Sequence, residues 1–246
     1  MERTKTDRQW EKWGKQNPYF GVLGWESRDC VDDEVRRQFF ETGRVHIEES
    51  LATAETIFGK LEKKNRAVDF GCGVGRLLPL LAERFTSVVG VDISAQMRVQ
   101  CQKNTTSYSN IQLCEFAEDV PDQIDFLHSY IVLQHIRPEQ GMKIIDTLVS
   151  KVAKDGMFSL HFTAGDSKLW RTCLNWLRYR IAPLHFLYNI VRRRPIREPV
   201  TEMNCYDVHS VISMLGSRGF HGVYVSSSEH NGHKGVTLFG RRSDVG

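Results

Sequence analysis

The sequence predicts an α/β protein: a doubly wound, seven-stranded, mostly parallel sheet with an antiparallel last strand, an N-terminal helical arm and an inserted helical cap. Three observations carry that prediction. Short apolar runs alternate with helical patterns from Arg66 onward, the sequence form of βαβ units. The glycine-rich stretch Gly71-Cys72-Gly73-Val74-Gly75 follows the first run and opens a helix. Near the C-terminus, Asn231-Gly232 sits between two strand-like runs, a hairpin signal that reverses the chain.

The elements follow in order. The first ~30 residues hold Trp10, Trp13, Tyr19, Phe20 and Trp25, an aromatic arm that either packs on the core or closes over a site. A helix opens at Asp32-Asp33-Glu34, acids suited to a helix N-terminus, and carries Val35, Phe39, Ile47, Leu51, Ala54, Phe58 and Leu61 at roughly helical spacing. Strands are expected at about Ala67–Phe70, Ser87–Val91, Ile111–Cys114, Ile124–Ser129 and Gly156–Thr163, with helices between them. A helix at about Tyr206–Ser217 leads into a strand near His221–Ser226. After the link Ser227–Lys234, Gly235–Gly240 makes the last strand. The interval Gly165–Pro199 breaks the alternation with two amphipathic stretches separated by Pro183, and reads as the cap.

The 246 residues allow one well-cored domain with additions or two small ones. Hydrophobic residues at 41% and charged residues at 26% exclude a mainly disordered, collagen-like or coiled-coil chain. The six cysteines have neither C-x-x-C nor zinc-ligand spacing and read as reduced thiols. The charged start, Met1 to Arg8, leads into no apolar signal segment, and no run approaches the ~18–20 apolar residues of a membrane span. A cytoplasmic location is the expectation. The net charge of +3 gives no strong nucleic-acid signal, but it conceals a division: Gly165–Pro199 contains eight basic residues and two acids. Arg192-Arg193-Arg194 and Arg197 within it suit an anionic acceptor or an anionic membrane surface, or are simply solvated.

The glycine turn is the strongest chemical signal. Glycines at alternate positions let backbone N–H groups and a helix N-terminus approach a ligand. Asp92 closes the second strand about 20 residues on, where a carboxylate can take both ribose hydroxyls. The third glycine of the dinucleotide fingerprint is replaced by Arg76, which weighs against a dehydrogenase. With Asp69 before Gly71, Gly73 and Gly75, Asp92 in Val89-Gly90-Val91-Asp92-Ile93-Ser94, and Ile124 to Ser129 running on to Tyr130-Ile131-Val132-Leu133-Gln134-His135-Ile136, the chain resembles the class I S-adenosylmethionine-dependent methyltransferases. The resemblance covers about Ala67–Leu160.

The resemblance implies roles for individual residues, with S-adenosyl-L-methionine as cofactor. Asp69 and the loop of Gly71, Cys72, Gly73, Gly75 and Arg76 would hold the methionine end, Asp92 the ribose, and Ile93 and Met97 the adenine. Ser129, Tyr130 and Ile131 would line the floor near the sulfonium. The acid expected after strand three aligns with Ala117, and Glu118 or a backbone group stands in for it. Tyr19 and Phe20 fold over the cofactor as a lid or staple the arm to the core.

Methyl transfer to a hydroxyl also needs a base, and histidine is suited to that near neutral pH. The fold places His135, His161, His230 and His233 at the C-terminal edge of the sheet. His135 offers a base or a helix cap, and His161 a strand-end residue, base or substrate contact. His230 and His233, beside Glu229, offer acceptor contacts or surface loop residues, or part of a metal site with His161; no metal is expected on two loop histidines alone. Gln134 can bond the acceptor or pack at the helix start. The expected organisation is a single domain: arm 1–62, cofactor-binding core 66–164, cap 165–205 and closing helix and hairpin 206–246. The expected reaction is O-methylation of a natural-product or sugar hydroxyl, with a small-molecule or glycan acceptor. N-methylation, a dehydrogenase and a non-catalytic binding module are the alternatives.

Overall fold

The computed structural model describes residues 4–19, 33–166, 177, 181–191, 202–230 and 233–243. Among them the elements run α1 (Lys5–Gln16), α2 (Asp33–Phe58), β1 (Arg66–Phe70), α3 (Leu78–Arg84), β2 (Ser87–Val91), α4 (Ala95–Asn104), β3 (Ile111–Cys114), β4 (Ile124–Ser129), α5 (Pro138–Ser150), β5 (Val152–Asp166), α6 (Ala182–Val191), α7 (Val208–Ser217), β6 (Val223–His230) and β7 (His233–Arg241). The seven strands form one sheet in the order β3-β2-β1-β4-β5-β7-β6. Neighbours from β3 to β5 pair parallel, and β7 runs antiparallel to both β5 and β6. The doubly wound prediction holds. The order reverses at β1, and the crevice beyond the carboxyl ends of β1 and β4 is where such sheets bind ligands.

Strand alternation sorts the core into two layers. Ala67 of β1, Val88 of β2, Phe126 of β4 and Met157 of β5 face α2 and α3 with Ile47, Leu51, Leu78 and Leu81. Val68, Val89, Leu127 and Phe158 face α5 and α7 with Ile145, Leu148, Val211 and Leu215. Each layer is almost dry, with Phe126 and Phe158 at 0% exposure. A third cluster of Trp13, Phe39, Val74 and Met97 joins α1 and α2 to α4.

The strand boundaries are corrected at the C-terminal end. Most of the link expected at Ser227–Lys234 is strand, because Ser227, Ser228 and Glu229 pair with Val236, Gly235 and Lys234. β6 is an edge strand, so polar residues there can meet water and still keep their ladder bonds. The helix expected from Tyr206 starts at Val208 with Asp207 as its cap, accepting from the Ser210 N–H. Tyr206 is buried instead, and its hydroxyl donates to the Ile136 carbonyl at 2.9 Å. α1 is the element that composition alone did not mark as a helix. Thr4 Oγ1 accepts from the Asp7 N–H and Asp7 Oδ2 accepts from the Thr4 N–H, a capping box that fixes its start. Of the cap, Gly165, Asp166, Leu177, 181–191 and 202–205 are described; Arg192-Arg193-Arg194 and Arg197, and Phe20 of the arm, lie outside the described residues. Among the described residues no helix is long and apolar enough to cross a membrane.

α2 lies unusually close to the glycine turn because position 43 is glycine. A Cβ there would sit 2.3 Å from the Arg76 carbonyl oxygen. Gly43→Ala is therefore expected to cost about 1–3 kcal/mol, as over-packing against backbone does, measured by urea unfolding. Gly216→Ala in α7, whose new Cβ would meet nothing within 4 Å, should cause no loss.

Candidate active site

The site begins where β1 ends. Gly71, Gly73 and Gly75 have φ of +79°, +53° and +85°, a region that costs side-chain-bearing residues energy. Space adds a second constraint at Gly71, where a Cβ would lie 2.2 Å from Val132 Cγ2. The turn is pinned to β2, because the Gly71 and Cys72 N–H groups both donate to the Val91 carbonyl, at 2.7 and 3.0 Å. Beyond Val91, Asp92 accepts from the Gly73 N–H at 2.9 Å through Oδ2 and from the Ser94 N–H at 2.8 Å through Oδ1. The carboxylate is thus oriented before any ligand arrives. Burial raises the Asp92 carboxyl to about 6, opposed by the two N–H groups and by Arg98.

A cleft opens over this turn. Its walls include Gly71, Gly73, Asp92, Ile93 and Met97 on one side and Tyr130, Ile131, Val132 and His135 on the other. Glu115, Phe116, Ala117 and Glu118 close one end, and Thr6, Asp7 and Trp10 of α1 cover it. Ile131 has φ +60°, a conformation that costs a β-branched residue roughly 1–3 kcal/mol. That strained residue follows Tyr130 directly, at the turn from β4 into the cleft wall.

The structure thus brings Gly71, Gly73, Asp92, Ile93, Met97, Glu118, Tyr130, Ile131 and His135 to one cleft. It places the other sequence-named residues around it. Asp69 is 1% exposed and off the wall: its Oδ1 lies 2.8 Å from His128 Nδ1, and its Oδ2 has no hydrogen-bond partner among the described residues. Cys72 is buried, and its contact with Cys101 together with burial holds the thiol well above the ordinary range. Gly75 packs toward Cys101 and Thr105. Arg76 is 6% exposed and donates to Thr42 Oγ1. Ser129 Oγ donates to the Phe70 carbonyl. Tyr19 donates to Asn104 Oδ1 at 2.9 Å and meets Phe39 edge-on, which joins the arm to α4. His161 is buried in β5 with its ring 5.1 Å from that of Tyr130. His230 and His233 pair across the end of the hairpin, and His233 stands opposite Asp166 at the C-terminal end of β5. Among the described residues no cluster of three His, Cys, Asp or Glu side chains is arranged for a metal.

His135 sits in an ordered chain of donors and acceptors. Thr163 Oγ1 donates to Gln134 Oε1 at 3.0 Å, which turns the Gln134 amide nitrogen toward His135 Nε2 at 3.3 Å. His135 Nδ1 lies 2.8 Å from the Glu202 carbonyl and must carry the proton there. In the neutral ring Nε2 is then the basic nitrogen. Trp10 tilts over it at 5.1 Å, and Glu202 reaches back to α1 by accepting from Thr6 Oγ1 at 2.8 Å.

The sequence left open whether the arm covers a site and did not single out α1 as the part that lines it. Its signal was present in Thr4-x-x-Asp7, whereas docking depends on Glu11, which accepts from Ser94 Oγ at 2.8 Å, a contact across 83 positions. It also missed Glu115, directly after β3, which lines the cleft and takes Arg98 Nη2 at 2.9 Å.

Comparison with known proteins agrees with this geometry. A family model described as a methyltransferase domain matches residues 45–224. The cyclopropane-fatty-acyl-phospholipid synthase of Escherichia coli (strain K12) is 30% identical over 135 residues, 54% of this chain and 35% of that protein. The chain thus spans about a third of the length of that curated relative. An uncharacterized methyltransferase of Staphylococcus carnosus is 24% identical over 141 residues, 57% of this chain and 63% of that protein. Among solved structures, magnesium protoporphyrin IX methyltransferase from Synechocystis PCC 6803 with bound SAH superposes with a TM-score of 0.63 at 18% identity, covering 97% of this chain and 100% of that one. The N-methyltransferase NodS from Bradyrhizobium japonicum WM9 gives 0.58 at 14% identity, covering 98% and 100%. Its glycine turn, oriented Asp92 and matched residues 45–224 together make this chain a member of the methyltransferase-domain family.

Proposed function

We propose that this methyltransferase transfers the methyl group of S-adenosylmethionine to an oxygen nucleophile of a small or medium-sized acceptor, a natural-product or sugar hydroxyl. The residues present fit the cofactor: an oriented carboxylate at the end of β2, apolar Ile93, Met97 and Ala117 beside it, and bare backbone at Gly71 and Gly73. When bound, S-adenosylmethionine supplies a methyl group already activated on a sulfonium, for in-line displacement.

The observation that carries the choice of oxygen is His135, in the cleft wall with its Nδ1 proton committed to the Glu202 carbonyl. A hydroxyl is a poor nucleophile until it loses its proton, and His135 Nε2 is positioned to accept it, in place of the 3.3 Å contact from Gln134. Asp92 receives the ribose hydroxyls on the lone pairs that Gly73 and Ser94 leave over. Trp10 and the rest of α1 keep water from the cleft. Gly71 and Gly73 let the backbone come close where a side chain would block it. An anionic acceptor is the class that the arginines of the 165–199 interval favour.

Two outcomes test this. Incubation with methyl-labelled donor and parallel panels of hydroxylated natural products, sugars and amines should give a methyl ether; methylated amines alone would overturn the choice of oxygen. His135→Asn, which retains a donor toward Glu202 and lacks Nε2, should lower kcat by roughly 10²–10⁴ and leave S-adenosylhomocysteine affinity unchanged.

Asp92 predicts a pH dependence. Ribose hydroxyls donate to the ionised carboxyl, so calorimetric affinity for S-adenosylhomocysteine should be level above about 7 and fall as pH drops through about 6. Asp92→Asn should weaken binding about 10- to 100-fold, the value of hydrogen bonds to a charged group, and abolish that pH dependence. The sign for folding is opposite. Because the folded value of about 6 lies above the ordinary 3.8, this group stabilises the ligand-free fold on acidification from 6 toward 4.

A further inference from the structure

The α2 face of the sheet turns polar as it reaches the cleft. β1 presents Ala67 and then Asp69 to that face, and β4 presents Phe126 and then His128. The register sets Ala67 beside Phe126 and Asp69 beside His128. One step is apolar and buried; the next is a carboxylate and an imidazole, at 1% and 0% exposure. Asp69 Oδ1 lies 2.8 Å from His128 Nδ1, and His128 Nε2 lies 3.1 Å from His46 Nε2 on α2.

A carboxylate accepts, so His128 carries a proton on Nδ1. In the neutral ring Nε2 offers a lone pair, to which His46 can donate from its own Nε2 at 3.1 Å. The His46 ring lies on that of Tyr130 with centroids 3.8 Å apart. Arg76 stands 6.0 Å from the same Tyr130 ring, and His161 meets it edge-on at 5.1 Å. Tyr130 lines the cleft.

We propose that Asp69, His128 and His46 form a directed hydrogen-bond relay whose function is to position Tyr130 at the methyl-transfer end of the cleft. The proposal rests on the methyltransferase reading above and gives the acid before the glycine turn a task other than holding cofactor. His46, His128 and Asp69 are positioning residues, and Tyr130 is the group they present. Burial above all raises the Tyr130 hydroxyl, with Arg76 opposing and Glu49 adding to it, so the ring is presented as a phenol. Arg76 also supplies the positive charge that Asp69 faces inside the fold.

The test uses the full chain with ¹⁵N-histidine and ¹³C-tyrosine labels. Long-range histidine spectra of the wild type should show His128 protonated at Nδ1 and His46 at Nε2. His46→Phe keeps a ring against Tyr130 but removes the donor; His46→Gln keeps a donor but removes the ring. In His46→Phe, the His128 Nε2 signal should move because its lone pair has lost its donor, and the Tyr130 ring signal should shift, whereas His46→Gln should keep the His128 Nε2 signal near wild type. A His46→Phe chain with wild-type His128 and Tyr130 signals would mean that ring packing alone holds the site, which overturns the relay. Unfolding midpoints near wild type in both variants separate this from a stability effect. S-adenosylhomocysteine titration of the wild type distinguishes the two levels of argument. A chain that shows both tautomers but takes no S-adenosylhomocysteine overturns the reading of the cleft, whereas one that takes it with the opposite tautomers overturns the relay alone.

Discussion

The turn that leaves β1 has no room for a side chain at Gly71 or Gly75, and the placement of the cleft walls after β2 and β4 follows from that. Gly71 must pass beneath Val132, Gly75 must pass beside Cys101, and both have positive φ. With the turn drawn in against the Val91 carbonyl, the Gly73 N–H reaches Asp92 and fixes the carboxylate. Val132 is then held against the turn from above, which sets the path of the chain after β4 through Tyr130 and the strained Ile131. A bulkier turn would separate β2 from β4 at the point where the two halves of the cleft meet.

Much of this was legible in the sequence because it depends on short-range pattern. Apolar runs bounded by turns placed the first four strands, and the glycine spacing with Asp92 located the cleft, since both are set within one βαβ unit. The parts that were not legible depend on long-range docking. Nothing near Trp10 indicates that it lies on His135; the contact exists because Thr6 meets Glu202 and Glu11 meets Ser94. The end of β6 was hidden for a related reason. Ser227 and Ser228 look like loop residues until β7 is beside them, and only an edge position tolerates them in a strand. Glu115 was passed over because alignment by counting led to Ala117, whereas the chain turns into the cleft immediately after β3.

The arm and the segment before α7 converge on the same histidine. Glu202 accepts from the His135 Nδ1–H with its carbonyl and from the Thr6 hydroxyl with its carboxylate. The tautomer of His135 and the seating of α1 are therefore coupled through one residue. A cover attached in this way can exclude water and set the base together. The covering helix contributes little core of its own, since Trp13 is its one buried residue. Its docking rests on that side chain, the Glu11 and Thr6 bonds and the close approach of Gly14 to α4.

The polar step on the α2 face is the least economical part of the fold, and for that reason it is informative. Burying Asp69, Arg76 and His128 forgoes the stability that apolar residues of similar volume would give, because desolvation offsets most of the attraction between charges. The layer beneath shows that the scaffold can do otherwise: Ala67, Phe126 and Met157 occupy the same face in a dry core. The switch from apolar to polar falls at the last residues before the cleft, and it is matched by His46 on a helix brought close by Gly43. A hydrophobic step there would still support the sheet. It would restrain His46, and through it the Tyr130 ring, less directionally than a chain of hydrogen bonds does. What the polar step adds is direction, and it adds it at the end of the sheet where the methyl group has to be transferred.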